Sequence, residues 1–224
     1  MPFGIQNIGA TCYLNSVLQA LHSSLTNIKE YKGPCEFTQA VRDMNVPKIL
    51  DGIPQFTMGH THDAHEALLA IIDKLENTLG RDTFYGTCES KYITKAGSTI
   101  IKGEFGALMF NVGNEKTLEE LYENSQKAEF IIDNGSGMFS CKETRYLSFP
   151  KVLVCMFIEP RPIMLPCTFK GKKLNCIVSH MGSRDAGHYI SIVHEGNETF
   201  LIDDDKIFKT DGQFTGPVYL AVYS

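Results

Sequence analysis

Three stretches of the chain carry apolar residues at the spacing of one helix face. The first covers residues 12–24, where leucine and valine recur every three or four positions. The second, residues 64–80, has the strongest pattern and ends at a glycine. It opens with Asp63 and has Glu66 three positions later, as in a capping box. The third is shorter, residues 117–127, and begins at a threonine cap. The pattern therefore predicts three helices.

Beyond residue 81 the pattern changes to short runs rich in β-branched and aromatic residues, separated by turn residues. The runs read KYITK, STIIKGEF, ALMFNV, EFIID, VLVCMFIE, LNCIVSH, HYISIVH, ETFLID and PVYLAVY. Helices first and antiparallel strands later predict an α+β fold. We expect two subdomains with a cleft between them and a boundary near Gly80.

Composition narrows the class of protein. The chain has 224 residues, enough for one large domain or two small ones, and 43% hydrophobic residues exclude wholesale disorder. Its longest apolar run, Val152–Ile158, is far shorter than the span of about 20 residues that crosses a membrane. The first residues, MPFGIQNIG, lack the features of a signal peptide. The net charge of −5 suits a basic partner better than nucleic acid.

The cysteines indicate reduced thiols and no zinc ribbon. Their number is odd, and no pair has the C-x-x-C spacing of a zinc or thioredoxin-like motif. They occupy positions 12, 35, 88, 141, 155, 167 and 176. We therefore expect an intracellular protein.

One cysteine stands where a nucleophile would. Cys12 lies at the predicted start of the first helix, where unpaired N–H groups favour a thiolate. Asn7 precedes it by five residues, and its side-chain amide with the Cys12 N–H would form an oxyanion hole. A buried structural cysteine after a turn gives the same pattern.

A hairpin near the C-terminus offers the base and its orienting acid. His188 starts a strand, residues 196–197 make a two-residue turn, and the next strand ends in Asp203-Asp204-Asp205. With Glu195 opposite Glu198, His188 faces Asp205 and lies diagonal to Asp203, while Asp204 points the other way. The register does not decide whether Asp203 or Asp205 is the acid that pairs with His188. It is also compatible with a purely structural interpretation, in which the three aspartates form a solvated strand end and His188 lies at the rim.

These segments resemble two motifs of the ubiquitin-specific proteases, papain-like cysteine peptidases that cleave ubiquitin from its conjugates. GIQNIGATCYLNSVLQALHS resembles their Cys box, and VSHMGSRDAGHYISIV followed by FLIDDDKI resembles their His box. The resemblance implies Cys12 as nucleophile, Asn7 as oxyanion donor, His188 as base and Asp203 as its orienter. Asp204 is a second candidate for the acid. It also implies a papain-like fold with a helical thumb (about 1–80), fingers and palm (about 81–150) and a palm with the His box (about 151–224).

The same resemblance implies a substrate-binding cleft. HDAHEALLAIID is similar to the family's QDAxEF element, so Asp63 and Glu66 would face the basic tail of ubiquitin. The remaining cleft residues implied by the His box are His180, Gly187 and Tyr189, together with Asp204.

A metal is not expected. His60, His62 and His65 have the spacing H-x-H-x-x-H, but without a further ligand they favour a helix-entry loop over a metal site. Many relatives hold zinc in their fingers with two C-x-x-C pairs, whereas Cys88 and Cys141 stand alone here. We expect no cofactor, and fingers held by strand pairing and packing.

The resemblance covers nearly the whole chain and predicts a monomeric deubiquitinase acting on ubiquitin, its conjugates or a ubiquitin-like modifier. We expect it in the cytoplasm or nucleus, or in the host cytoplasm if this compact chain is a viral member. Two other functions remain open. One is a ubiquitin-binding pseudoenzyme, and the other is a viral polyprotein peptidase with secondary deubiquitinase activity.

Overall fold

The computed structural model describes most of the chain. The last positions of two predicted strands, Lys95 and Asp133, and positions 184–186 within the His box lie outside the described residues. The described residues are 2–26, 28, 31, 33, 35–94, 97–132, 139–183, 187–211 and 214–224.

Five α-helices lie in the described part of the chain. They are α1 Cys12–Leu25, α2 Glu36–Arg42, α3 Val46–Gly52, α4 Ala64–Leu79 and α5 Leu118–Ser125. The three predicted helices are α1, α4 and α5, and each is confirmed to within two residues at either end. Helices α2 and α3 were not predicted, since seven residues are too few to display a clear period. Among the described residues, no helix has both the length and the apolar character needed to cross a membrane.

The strands form two sheets. Their bounds are β1 Gly86–Thr94, β2 Gly97–Phe105, β3 Leu108–Phe110, β4 Glu129–Ile132, β5 Phe139–Ser148, β6 Leu153–Arg161, β7 Thr168–Phe169, β8 Lys172–Gly182, β9 Gly187–Glu195, β10 Glu198–Asp203, β11 Lys206–Thr210 and β12 Val218–Tyr223. The order β11-β10-β9-β8-β12-β6-β3 makes the large sheet, with β7 paired to β8. Strands β5, β7 and β11 were not predicted. β5, FSCKETRYLS, is too polar to show a buried face, and β7 and β11 are short.

The large sheet is covered on both faces, which explains its apolar strands. Alternate residues of β6 point to different cores: Val154 packs with α1 and α4, whereas Leu153 and Cys155 pack with α5. Helix α1 is buried along most of its length between α4 and strands β8 and β9. This packing fixes the start of α1 against the start of β9.

The smaller sheet, in the order β2-β1-β5-β4, spans the region expected to form the fingers. Opposite charges face each other across its strands: Glu89 pairs in register with Lys102 on one side and Arg145 on the other. At its base, Tyr146 contacts the rings of Phe105 and Tyr122. Strand pairing therefore holds this sheet together, and aromatic packing connects it to α5.

Candidate active site

The irregular segment before α1 is folded by Asn7. Its Oδ1 accepts hydrogen bonds from the backbone N–H of Gly9 and of Thr11, each at 3.1 Å. The turn between them uses left-handed backbone at Gly9 (φ 116°) and Ala10 (φ 54°). Thr11 is the N-cap of α1, and its side chain makes no cap hydrogen bond. The first N–H groups of α1 are therefore left to face the nucleophile.

Cys12 is the first residue of α1, and 6% of it is exposed. Burial raises the pKa of its thiol, and the negative charge of Asp204 acts in the same direction. Hydrogen bonds from the backbone of Tyr189, Tyr13 and Cys12 itself lower the pKa but do not offset burial. The backbone N–H groups at the helix start thus oppose the effect of burial without overcoming it, and the thiol needs a base to lose its proton. The contact with Tyr189 places the sulfur beside the residue that follows His188.

His188 and Asp203 are hydrogen-bonded. His188 Nε2 lies 2.6 Å from Asp203 Oδ1, and both side chains are about one-third exposed. The predicted register is confirmed, since Glu195 pairs with Glu198 and the ladder continues to Ser191 and Ile202. With Nε2 engaged by the carboxylate, Nδ1 is the ring nitrogen that does not face Asp203.

The prediction that Asp204 points away from this site is wrong. The ladder between β9 and β10 ends at Ile202, and positions 204–205 form the turn between β10 and β11, so Asp205 does not continue the strand opposite His188. Asp204 has left-handed backbone (φ 53°). This turn rotates the Asp204 carboxylate back toward the site, where side-chain ligand atoms of His188, Asp203 and Asp204 all lie within 4.8 Å of one another.

Asp204 joins two asparagines. Its Oδ2 accepts from Asn7 Nδ2 at 2.9 Å, and its Oδ1 accepts from Asn15 Nδ2 at 2.7 Å. One hydrogen of the Asn7 carboxamide is therefore on Asp204, and no partner for the second is found in the described part of the chain. Asn15 was not singled out from the sequence, although an asparagine on the apolar face of a helix is a detectable signal.

A cleft of about 1140 Å³ opens beside Cys12, between α4 and the large sheet. Its wall from α4 carries Asp63 and Glu66, and the sheet contributes His180, Gly187 and Tyr189. The structure thus brings together these five predicted cleft residues. Asn7, His188, Asp203 and Asp204 do not line it.

The two acids of the cleft differ in their surroundings. Asp63 Oδ1 accepts from the N–H of His65 at 2.7 Å and of Glu66 at 3.1 Å, while its Oδ2 accepts a hydrogen bond from the Tyr219 hydroxyl. Glu66 is exposed, and the return bond that a full capping box requires is not found among the described residues. Asp63 is therefore tied into the fold, and the Glu66 carboxylate faces solvent at the cleft. Tyr219 was not predicted from the sequence, because it belongs to no recognisable motif.

His180 is held by its neighbours across the sheet. Its ring lies 4.4 Å from that of Tyr189, centroid to centroid, and burial lowers its pKa. A Cβ at Gly187 would be 1.9 Å from His180 Nε2, so any larger residue there would force the His180 ring or the backbone of β9 to shift. Burial raises the pKa of Tyr189 to about 12.

The three histidines around the start of α4 are not grouped as metal ligands in the described part of the chain. His62 Nε2 accepts from the Thr57 N–H at 3.2 Å, His65 is buried, and His60 is exposed. In the described ranges, the one group of three potential ligands that lie close together is His188, Asp203 and Asp204.

The chain is similar in sequence to one family of known proteins over nearly its whole length. The family model for ubiquitin carboxyl-terminal hydrolase matches residues 3–223. Ubiquitin carboxyl-terminal hydrolase 36 of Drosophila pseudoobscura pseudoobscura is 23% identical, over 91% of this chain and 27% of its own length. "Probable ubiquitin carboxyl-terminal hydrolase 8" of Schizosaccharomyces pombe is 22% identical, over 98% of this chain and 64% of its own. The chain therefore spans less than two thirds of either relative.

Solved structures share the fold. The SAGA DUB module of Ubp8, Sgf11, Sus1 and Sgf73 bound to monoubiquitin matches with a TM-score of 0.80 and 20% identity, covering all of this chain and 69% of that one. The Ubp8 module bound to ubiquitin aldehyde matches with a TM-score of 0.80 and 18% identity, over 100% and 69% of the two chains. This likeness confirms the predicted papain-like α+β fold.

Proposed function

The chain belongs to the ubiquitin carboxyl-terminal hydrolase family, and from that premise we propose that it is a deubiquitinating cysteine protease. It would hydrolyse the bond that follows the C-terminal glycine of ubiquitin. The observation that carries this proposal is the 2.6 Å hydrogen bond between His188 Nε2 and Asp203 Oδ1. Tyr189, the residue after His188, contacts the Cys12 sulfur through its backbone.

The first half of the reaction forms a thioester. His188 Nδ1 takes the proton from Cys12 Sγ as the sulfur attacks the carbonyl carbon of the terminal glycine. The carbonyl oxygen becomes an oxyanion and accepts hydrogen bonds from the Cys12 N–H and the free Asn7 Nδ2 hydrogen. When the intermediate collapses, the C–N bond breaks, and His188 gives its proton to the departing amine.

The second half regenerates the thiol. His188 removes a proton from water, and the resulting hydroxide attacks the thioester carbonyl at the same oxyanion site. The C–S bond then breaks, the carboxylic acid of the tail leaves, and Cys12 is protonated again. Asp203 keeps one imidazole nitrogen protonated and stabilises the imidazolium in both halves.

Ubiquitin as the partner is supported by the cleft and by the structural relatives. Both Ubp8 structures described above hold ubiquitin or its aldehyde. In this chain the cleft presents Asp63 and the exposed carboxylate of Glu66, a wall that suits a basic peptide tail.

The test is hydrolysis of a fluorogenic ubiquitin C-terminal conjugate. Cys12→Ala should abolish turnover while ubiquitin binding survives, and His188→Ala should be about as damaging because triad members act as a unit. Cys167→Ser, at an exposed cysteine, is the matched control and should retain wild-type turnover. Turnover by Cys12→Ala near the wild-type rate would overturn the proposal.

A ubiquitin-binding protein without turnover is the second candidate. The observation in its favour is the raised pKa of the buried Cys12 thiol, which opposes formation of the nucleophile. Tight ubiquitin binding with no hydrolysis, and no reaction with a ubiquitin probe that traps active cysteines, would support it.

A further inference from the structure

Asn15 is an unusual side chain for its place in the fold. It lies on α1 one turn after Cys12, among buried residues that are mostly apolar, and it is 3% exposed itself. Both hydrogens of its carboxamide are used: Nδ2 donates to Asp204 Oδ1 at 2.7 Å and to the backbone oxygen of Ile5 at 3.2 Å. Its Oδ1 is buried, and none of the described residues donates a hydrogen bond to it. A buried polar group with an unpaired acceptor destabilises the fold, which suggests that Asn15 serves the site.

Asn15 belongs to a ring of hydrogen bonds that runs through Asp204 and Asn7 to the start of the nucleophile helix. Asn15 holds one oxygen of Asp204, and the other oxygen of Asp204 holds Asn7 Nδ2 at 2.9 Å. Asn7 Oδ1 in turn accepts from the backbone N–H of Thr11, the residue before Cys12. The ring therefore starts and ends on the nucleophile helix.

The backbone around Asp204 is anchored to the chain segment that precedes α1. The Ile5 N–H donates to the Asp204 carbonyl oxygen at 2.9 Å, and a Cβ at Gly4 would lie 2.4 Å from the Asp205 carbonyl oxygen. The segment before the nucleophile thus lies tightly between α1 and the turn that carries Asp204. Asn15 donates hydrogen bonds to Ile5 in this segment and to Asp204 in the turn.

We propose that Asn15 is a positioning residue, which through Asp204 holds the Asn7 carboxamide where the oxyanion forms. The role rests on the proposed hydrolysis. One hydrogen on Asn7 Nδ2 is donated to Asp204. Because the carboxamide group is planar, this bond fixes the direction in which the second hydrogen points. Loss of Asn15 would free the Asp204 carboxylate to turn, and Asn7 would lose its fixed orientation without losing its donor.

The chain supplies a matched control one turn further along α1. Gln19 is also 3% exposed, and its Nε2 donates to the backbone oxygen of Phe3 at 2.7 Å. It anchors the same N-terminal segment, but the structure gives it no contact with Asp204 among the described residues. Gln19→Leu and Asn15→Leu therefore remove comparable buried amides, and only the second acts on the ring.

The experiment compares turnover of a ubiquitin C-terminal fluorogenic substrate with alkylation of Cys12 by iodoacetamide. Alkylation forms no oxyanion, so it reports the thiol and its base alone. Asn15→Leu should lower kcat by about tenfold, less than the 10²–10³-fold typical of losing an oxyanion donor outright. Its KM and its alkylation rate should stay within about twofold of wild type, as should kcat of Gln19→Leu.

A second comparison tests the route through Asn7. In an Asn7→Ala background, Asn15→Leu should cost almost nothing further, because the group it positions is already gone. If Asn15→Leu fails to fold, Asn15→Ser, which also removes both amide bonds, takes its place.

Three outcomes would overturn the role of Asn15. They are an equal kcat loss in Gln19→Leu, a full additive loss in the Asn7→Ala background, and a parallel fall in turnover and alkylation. A wild-type chain that binds ubiquitin but never turns it over would instead overturn the proposed hydrolysis itself, and this role with it.

Discussion

His188 Nε2 lies 2.6 Å from Asp203 Oδ1, although the register of β9 and β10, continued past its last pair, would place Asp205 opposite His188. The ladder with β9 stops at Ile202, and residues 204–205 turn the chain from β10 into β11. The diagonal acid is thus brought to the imidazole, and Asp205 is left exposed in the turn.

The first prediction concerns the choice of acid. Asp203→Asn should lower kcat by roughly a thousandfold or more, because the imidazole loses its orientation and its partner charge. The melting temperature should change little, since the Asp203 side chain is only partly buried. Steady-state kinetics and thermal unfolding measure both effects. Asp205→Asn, two residues away, is the control and should act like wild type. A larger loss at Asp204 or Asp205 than at Asp203 would show that the orienting acid has been misassigned.

The individual residues of the site could be predicted from the sequence, but the contacts that bring them together could not. Local patterns sufficed for α4, for the Glu195–Glu198 hairpin and for the Cys12 helix start, because each depends on neighbouring residues. The choice between Asp203 and Asp205 depended on β11, a strand too short to recognise. The contact of Asn15 with Asp204 joins residues 189 positions apart, which no local periodicity encodes.

The second prediction separates binding from stability in the cleft. Glu66→Lys should raise KM for ubiquitin substrates by about three- to tenfold with an unchanged melting temperature, because the exposed carboxylate contributes only rim electrostatics. The increase should shrink at high salt. Kinetics at two salt concentrations check this expectation.

Asp63→Ala is its counterpart. It removes the α4 cap and the partner of Tyr219, and should lower stability by about 1–2 kcal/mol. The assignment fails if Glu66→Lys lowers the melting temperature as much as Asp63→Ala does, since both acids would then act through the helix.

The third prediction uses two strand glycines. Gly187→Ala would place a methyl group 1.9 Å from His180 Nε2, so the imidazole or the start of β9 must shift. Since His188 is the next residue, kcat should fall by more than tenfold, comparable to other losses of catalytic geometry. Gly103→Ala on β2 meets open space and should retain full activity, as measured by the same hydrolysis assay. Wild-type kcat in Gly187→Ala would mean that His180 can move away without disturbing the base.

The last prediction is a loss of stability in mild acid. Burial lowers the pKa of His22, His65 and His194 below the ordinary 6.5, although Glu195 opposes the shift at His22, and Asp63 and Glu66 oppose it at His65. Near pH 7.5 these imidazoles are neutral in both the folded and the unfolded chain. As the pH falls through 6.5, the unfolded chain binds protons that the folded chain resists, so the free energy of unfolding decreases. Each histidine contributes about 1.4 kcal/mol per unit by which its pKa is lowered. Denaturant unfolding between pH 7.5 and 5.5 measures the slope. His194→Gln, which removes one titrating ring, should flatten it, whereas His60→Gln at an exposed position should leave it unchanged. A slope in wild type that is flat over this range would show that these rings take up protons without leaving their buried sites.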